Sequence, residues 1–281
     1  MSGELGGQSG GQSGGQSGGQ SGGQSGGQSG GRTLPLIDER PPGWLLVFTT
    51  DGTPKIGGVD FPDGGWDPLI RANAITAAFV SGSDWPVACD PGAPDNSDQV
   101  LQAELKALMA HEAGNGRSRW KDTILAQAND FTPYWTTLLV CSRNSRPATW
   151  ALVLVGHQIG ALVSSYFKLK YRRARPAQMW AALGPEIETP AHPSYPSGHA
   201  LQAHLIAECV KLAAPGVASL CDMLAENIGK NREVAGVHFP SDTAASKGIA
   251  PKIRNLLLAN SHFSDLVTQA AKEWQGARVI G

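Results

Sequence analysis

Hydrophobic positions in the second half of the chain recur with the spacing of an α-helix rather than that of a strand. Leu101, Leu105 and Leu108 mark one face of a helix that Ser97 can cap. Similar patterns, most with Pro or Ser at the start, predict further helices. These cover 71–80, 117–130, 133–141, 147–173, 197–215, 217–237, 241–251 and 261–275. Little of this half alternates with period two, so the sequence predicts an all-α helical bundle.

Two segments before the bundle have a different pattern. Residues 6–31 repeat Gly-Gly-Gln-Ser without an apolar side chain to bury, which predicts a disordered tether over residues 1–31. The β-prone runs 44–50 and 55–61 are separated by Asp51-Gly52, which indicates a small β-hairpin or an extended arm. We therefore expect an arm over 32–96 that packs on a helical domain over 97–281.

Composition and charge argue against several partners and locations. The formal net charge of −1 gives no sign of binding to nucleic acid or to an anionic membrane surface. Residues 150–167 carry no formal charge but include His157, Gln158 and two glycines, so we interpret them as a buried helix. No signal peptide is visible, and the four cysteines are widely spaced. These features predict a cytoplasmic protein without a membrane span.

Candidate chemistry is concentrated in three segments between residues 168 and 242. In the first, Lys168 and Arg175 lie seven residues apart, so we expect both on one face of a helix that Pro176 ends. Lys and Arg suit the binding of an oxyanion. The neighbouring basic residues at 170–173 leave open a solvated basic surface instead.

The second segment is Pro196-Ser197-Gly198-His199, directly before a predicted helix. A helix N-terminus offers free backbone N–H groups to an anion, glycine allows close approach, and the Ser197 hydroxyl can donate. His199 lies in the first turn and can face the same ligand. The alternative is an ordinary serine cap beside a surface histidine.

The third segment contains Arg232, His238 and Asp242. Asp242 can accept a hydrogen bond from one ring nitrogen of His238, which leaves the other nitrogen as a nucleophile or a metal ligand. The alternative is a buried structural histidine whose ring N–H donates a hydrogen bond to a nearby carboxylate. Together the three segments supply the cations, imidazoles, hydroxyl, amide and carboxylate needed to hold a tetrahedral oxyanion and act on it.

These segments resemble the signature of the superfamily of type 2 phosphatidic acid phosphatases (PAP2) and vanadium-dependent haloperoxidases. That signature is K-x6-R-P, then P-S-G-H, then S-R-x5-H-x3-D, and only the Ser before the last Arg differs, where this chain has Asn231. Because asparagine is also polar, we expect little effect on the site. The resemblance implies an all-α bundle of the PAP2 type.

The resemblance also implies a role for each matched residue. The oxygens of phosphate or vanadate would be bound by Lys168, Arg175, Ser197, the Gly198 N–H and Arg232. His238 would attack phosphorus to give a phosphohistidine, or would ligate vanadium, with no other metal involved. Asp242 would orient His238, and His199 would protonate the leaving group and then activate water.

Two activities share such a site. The length of about 250 residues after the repeat, and Ser165 at a position where haloperoxidases often have Trp or Arg, favour a phosphatase. This would be an acid-phosphatase-like phosphoric monoester hydrolase, without a cofactor, that acts on a small, soluble phosphate ester. His192, seven residues before His199, resembles a bromoperoxidase motif and could assist as an auxiliary residue. It leaves open a haloperoxidase with vanadate as cofactor, and with halide and hydrogen peroxide as substrates.

A third class is a non-catalytic bundle that binds an oxyanion. His157 and His204 are interpreted as structural histidines. Neither the oligomeric state nor the origin of the repeat follows from the sequence, so an oligomer stays open.

Overall fold

The structure is a computed structural model that describes residues 47–48, 54–55, 61, 65–113 and 116–275. The predicted tether over 1–31 lies outside these residues. The α-helices within them are α1 Pro68–Gly82, α2 Trp85–Ala88, α3 Asp98–Ala113, α4 Gly116–Asn129, α5 Thr132–Leu139, α6 Pro147–Tyr171, α7 Pro176–Met179, α8 Gly198–Ala213, α9 Ala218–Val234, α10 Pro240–Leu257 and α11 Ser261–Glu273. Short 3₁₀ turns lie at Ala181–Leu183 and Pro215–Val217. The strands are β1 Val47–Phe48 and β2 Pro54–Lys55.

The described part of the β element consists of two strands that are shorter than the predicted runs. Strands β1 and β2 pair antiparallel, with Val47 opposite Lys55 and Phe48 opposite Pro54. The second strand starts at Pro54, one residue before the predicted run. The prediction of an all-α fold with a minor β element is confirmed.

Helices α6 and α8 form the centre of the bundle. Helix α8 packs against α6, α9 and α10, while α1 and α11 cover α6. Two glycines of α6 bring its backbone against that of α8. A Cβ on Gly156 would lie 2.8 Å from the Cα of Ile206, and one on Gly160 would lie 2.7 Å from the Cα of Gln202. Any side chain there would push the helices apart, so these glycines set how closely the two helices pack.

Helix α1 belongs to this core although it falls within the predicted arm. Its buried face, formed by Ala72, Ile75 and Phe79, is part of the main hydrophobic cluster. Asp67 caps its N-terminus and accepts hydrogen bonds from the N–H groups of Leu69 and Ile70. The helix is therefore longer than the predicted 71–80.

The chain leaves α6 earlier than predicted, which changes the first candidate segment. Helix α6 ends at Tyr171, and Arg172 adopts a left-handed conformation with φ of 51°. Arg175 is extended, and Pro176 starts α7 rather than ending α6. A proline disfavours helical geometry in the residue that precedes it, so α6 does not continue through Arg175. The prediction that Lys168 and Arg175 share one helix face is therefore wrong.

Helix α10 continues beyond Pro251, where the predicted helix ends. It starts at Pro240, one residue before the predicted cap Ser241, and runs through Gly248 and Pro251 to Leu257. Proline normally disrupts a helix interior. Here Ile253 and Leu257 are fully buried beyond it, and their packing holds the helix together.

Candidate active site

The three segments converge where the end of α6, the start of α8 and the turn between α9 and α10 meet. All nine predicted side chains or amides lie at this junction, although they come from positions up to 74 residues apart. They are Lys168, Arg175, His192, Ser197, Gly198, His199, Arg232, His238 and Asp242.

His238 is held in one tautomer by contacts on both ring nitrogens. Its Nδ1 lies 3.1 Å from Oδ2 of Asp242, and its Nε2 lies 3.0 Å from Nη1 of Arg175. A guanidinium can only donate, so Nε2 accepts and the proton resides on Nδ1. Burial, followed by the charge of Arg175, lowers the pKa of His238 well below its ordinary value. The ring is therefore neutral near pH 7 and carries its lone pair on Nε2.

Asp242 is buried in the first turn of α10 and uses both carboxylate oxygens. Oδ1 accepts from Nη1 of Arg173 at 2.8 Å, and Oδ2 accepts from the Phe239 N–H at 3.0 Å as well as from His238. Burial raises the pKa of Asp242, while Arg173 and the Phe239 N–H act in the opposite direction. The carboxylate is thus fixed in orientation from two sides.

Arg175 joins the loop before α8 to the turn that carries His238. It is fully buried and donates to the carbonyl oxygens of His192 at 2.9 Å and Val237 at 2.8 Å. Its Nη2 lies 3.0 Å from Nδ1 of His192, which is otherwise exposed. Partial burial and the charges of Lys168 and Arg175 lower the pKa of His192 to about 4. His192 is therefore neutral in mildly acid solution.

Lys168 is also buried and contacts the same loop. Its Nζ donates to the carbonyl oxygens of Pro193 and Ser194 at 2.8 and 2.9 Å. Arg173 and Arg175 are buried with it, whereas Lys170 is exposed. The alternative of a solvated basic surface is therefore wrong for the three buried cations.

Ser197 does not act as an ordinary helix cap. Its hydroxyl makes no capping hydrogen bond at the start of α8. Instead its N–H donates to the carbonyl of Asp242 at 3.1 Å, and its carbonyl accepts from the Ser246 hydroxyl at 2.8 Å. A Cβ on Gly198 would lie 3.9 Å from Cε of Lys168, so the first N–H groups of α8 adjoin that cation. The backbone is thus tied to α10 while the hydroxyl stays available.

Buried donors without a partner mark the site as built for an anion. Within the part of the chain that the structure describes, Ser197 Oγ and both Nε and Nη1 of Arg232 are buried and make no hydrogen bond. Burial, followed by the charge of Arg175, lowers the pKa of Arg232 to about 10. A buried donor left unsatisfied costs about 1–3 kcal/mol, more if charged. The oxygens of phosphate or vanadate would supply the missing acceptors, so these residues fit either oxyanion.

His199 is half-buried against the end of α4. Its ring centroid lies 5.2 Å from that of Phe131, and the carbonyls of Gln127 and Ala128 raise its pKa. Burial and then the charge of Arg232 outweigh them, so the pKa of His199 is lowered well below its ordinary value. Asn231, which replaces the serine of the signature, donates to Oε1 of Gln127 at 2.8 Å. It thereby links α9 to the helix end that holds His199.

The sequence did not identify every residue of this site. Phe131 lies between His199 and His157, with its ring centroid 5.6 Å from that of His157. Arg173 donates to Asp242, and Glu104 accepts from Arg173. Arg173 lies inside the first motif, which was a usable signal, but neither Glu104 nor Phe131 belongs to any motif.

Acidification is expected to destabilise the folded chain below about pH 6.5. Burial lowers the pKa of His199, His204 and His238 from their ordinary value of 6.5, so in acid the unfolded state binds more protons. The raised pKa of Asp242 has the opposite effect on stability, but it is one group against three histidines. Urea midpoints at pH 7.5, 6 and 5 should fall in that order, and His204→Gln should reduce the slope. A midpoint that does not change over this range would contradict the expectation.

Residues 148–250 match the family model of the PAP2 superfamily. This segment contains every site residue identified from the sequence, and the match supports the PAP2 superfamily for this part of the chain. The match supports an enzyme of this superfamily with phosphatase-type activity.

The solved structures that match the chain include the crystal structure of the first transmembrane PAP2 type phosphatidylglycerolphosphate phosphatase from Bacillus subtilis. The two chains are 18% identical over 68% of this chain and 90% of that one, with a TM-score of 0.33. No curated protein sequence matches.

The predicted localisation is wrong. A cytoplasmic protein without a membrane span was inferred by reading α6 as too polar to cross a bilayer. Within Pro147–Met179, a window of 18 residues has a mean hydropathy of 1.3 and meets the length and composition of a membrane span, and 56% of that window is buried inside the protein. A span needs only about 20 mainly apolar residues, so His157, Gln158 and two glycines do not disqualify it. The prediction that the chain has no membrane span is therefore withdrawn, together with the predicted cytoplasmic localisation.

Proposed function

We propose that the chain is a phosphoric monoester hydrolase that transfers a phosphoryl group first to His238 and then to water. The observation that carries this proposal is the placement of a neutral, oriented imidazole among buried donors that lack a partner. His238 presents the lone pair of Nε2, and Arg232 and Ser197 present unpartnered donors beside it. A site that only bound an anion would need the donors but not the oriented nucleophile.

In the first step, Nε2 of His238 attacks phosphorus, and the bond from phosphorus to the ester oxygen breaks. Arg175, 3.0 Å from Nε2, must turn its N–H towards the phosphoryl oxygens as phosphorus approaches. Arg232, Lys168 and the start of α8 place fixed positive charge where charge develops in the transition state. His199 donates the proton that the leaving alkoxide takes.

In the second step, the now neutral His199 removes a proton from water. The resulting hydroxide attacks phosphorus, the phosphorus–nitrogen bond breaks, and phosphate leaves with His238 restored. Asp242 stabilises the positive charge on the His238 ring while the phosphohistidine exists, because it faces Nδ1–H. The enzyme returns to its starting protonation state after one ester is hydrolysed.

Two finer points remain predictions. The substrate was predicted to be a soluble ester, and with the membrane exclusion withdrawn a lipid phosphate must be tested beside it. The vanadium-dependent haloperoxidase is the second candidate, and His192, which suggested it, contacts Arg175. Vanadate, when bound, would supply Lewis-acid activation of hydrogen peroxide, and the same donors fit it.

The experiment pairs two assays on the purified full-length chain. We expect hydrolysis of p-nitrophenyl phosphate, or of phosphatidate in detergent micelles, and inhibition by vanadate. Arg232→Lys keeps the charge but loses the planar guanidinium with its paired N–H donors, so vanadate inhibition should weaken about 10–100-fold. The control Arg254→Lys alters an ion pair with Glu208 outside the site. Bromination of a dye with vanadate, bromide and peroxide, without hydrolysis, would reverse the choice of activity.

A further inference from the structure

Arg173 is a fourth cation near the site, and its contacts differ from those of the other three. It follows the end of α6 and is 2% exposed. Its Nη1 donates to Oδ1 of Asp242 at 2.8 Å and to the hydroxyl of Ser241 at 2.7 Å. Its Nη2 donates to Oε2 of Glu104 at 2.8 Å. The guanidinium also lies over the ring of Phe239, 4.1 Å from its centroid.

Glu104 of α3 completes this arrangement from the opposite side. Its second oxygen, Oε1, accepts from the Ser241 N–H at 2.7 Å, in the first turn of α10. One glutamate therefore binds both the cation that holds Asp242 and the backbone that carries it. The charge of Arg173 is therefore balanced by two carboxylates, those of Asp242 and Glu104. In contrast, Nε and Nη1 of Arg232 are buried without a hydrogen-bond partner.

The contact with Arg173 decides where the Asp242 carboxylate points. Lys168 and Arg175 also attract Asp242. Rotation towards them would place a negative charge among the cations that bind the oxyanion. Arg173 holds Oδ1 on the far side, and this leaves Oδ2 for His238 Nδ1. The direction of one carboxylate thus keeps the cationic site free for phosphate and keeps the His238 proton on Nδ1.

We propose that Arg173 and Glu104 are positioning residues for His238, which act by fixing the carboxylate of Asp242 in a single orientation. The proposal rests on the proposed phosphoryl transfer, since its importance lies in keeping Nε2 unprotonated for attack. Neither residue contacts the reacting atoms, so substrate binding should be preserved when the orientation is lost.

The test uses Glu104→Gln, Arg173→Met and the conservative Arg173→Lys in the full chain. Ring ¹⁵N NMR reports the tautomer of His238 without substrate, and steady-state kinetics give kcat and KM. In the wild type we expect a single tautomer with the proton on Nδ1. In Glu104→Gln and Arg173→Met we expect a mixture of tautomers, a kcat lower by about 10–100-fold, and a KM within about twofold. Arg173→Lys should recover part of both readouts.

The control is Arg254→Gln. Arg254 lies on α10, about three turns beyond Asp242, and its ion pair is with Glu208 of α8. This variant should change neither readout. Arg173→Met leaves two carboxylates without their cation, so Glu104→Gln, which keeps the side-chain size, decides the test if Arg173→Met does not fold. A folded Glu104→Gln with the wild-type tautomer and kcat overturns the proposal. A shifted tautomer in a chain without phosphatase activity supports the positioning role and overturns only the proposed reaction.

Discussion

Replacing His238 by Ala is expected to lower kcat for phosphate ester hydrolysis by at least about 10⁴-fold, because the proposed covalent intermediate forms on His238. The reason is structural. The Nε2 lone pair of His238 is directed by the Asp242 contact at 3.1 Å on the other ring nitrogen. Brief mixing of the wild type with a radiolabelled ester should leave an acid-labile, base-stable label on the chain, and the variant should carry none.

The matched control is His204→Ala, which removes another buried histidine with a lowered pKa. His204 belongs to α8 but contributes to none of the contacts described for the site. Its variant should retain the label and a kcat close to that of the wild type once circular dichroism shows that it is folded. Persistent labelling of folded His238→Ala would show that phosphorus is attacked by another group, and the proposed first step would be wrong.

Helix positions could be predicted from sequence where apolar spacing and start signals agreed. Helix α4 begins at Gly116 and α6 at Pro147, within a residue of the prediction. The start of α6 is decided locally, since a proline in the first turn and apolar residues on one face act within a few residues. The four-residue helix α7 was missed because it contains little more than one turn.

Boundaries that depend on tertiary contacts were not predictable in this way. Ser241 looks like a cap, yet its N–H binds Glu104 of α3, and α10 starts one residue earlier. Pro251 looks like a helix breaker, yet the buried side chains beyond it keep the helix intact. Local propensity is a weak guide where a distant partner or the core supplies the deciding energy.

Residues of the candidate site also divide into those that a local motif predicts and those that depend on distant contacts. The spacing of the three segments identified Lys168 and Arg232, because a motif fixes residue type and order. It did not show that Arg173 is buried in an ion pair with Glu104, 69 positions away. It also did not show that Arg175 leaves the helix of Lys168, since the turn at Arg172 depends on a left-handed residue that no pattern marks.

The second large effect is expected for His199→Asn, and it should depend on the leaving group. Burial and then Arg232 lower the pKa of His199, and a bound phosphate dianion would offset the contribution of Arg232, so we expect His199 to be protonated more readily in the complex. With p-nitrophenyl phosphate the leaving phenolate needs little help. His238 should therefore still be phosphorylated, while activation of water slows. Labelled chain should accumulate, with kcat lower by about 10²–10⁴-fold.

With an alkyl phosphate the first step itself needs the proton from His199. The same variant should then be as slow, but without accumulation of labelled chain. The control His157→Asn alters the other histidine that contacts Phe131, and its kcat should stay within about tenfold of the wild type. If His199→Asn turns over an alkyl phosphate at the wild-type rate, the leaving group must take its proton from water. The position of His199 against Phe131 would then reflect packing of α8 against the link between α4 and α5 rather than acid–base chemistry.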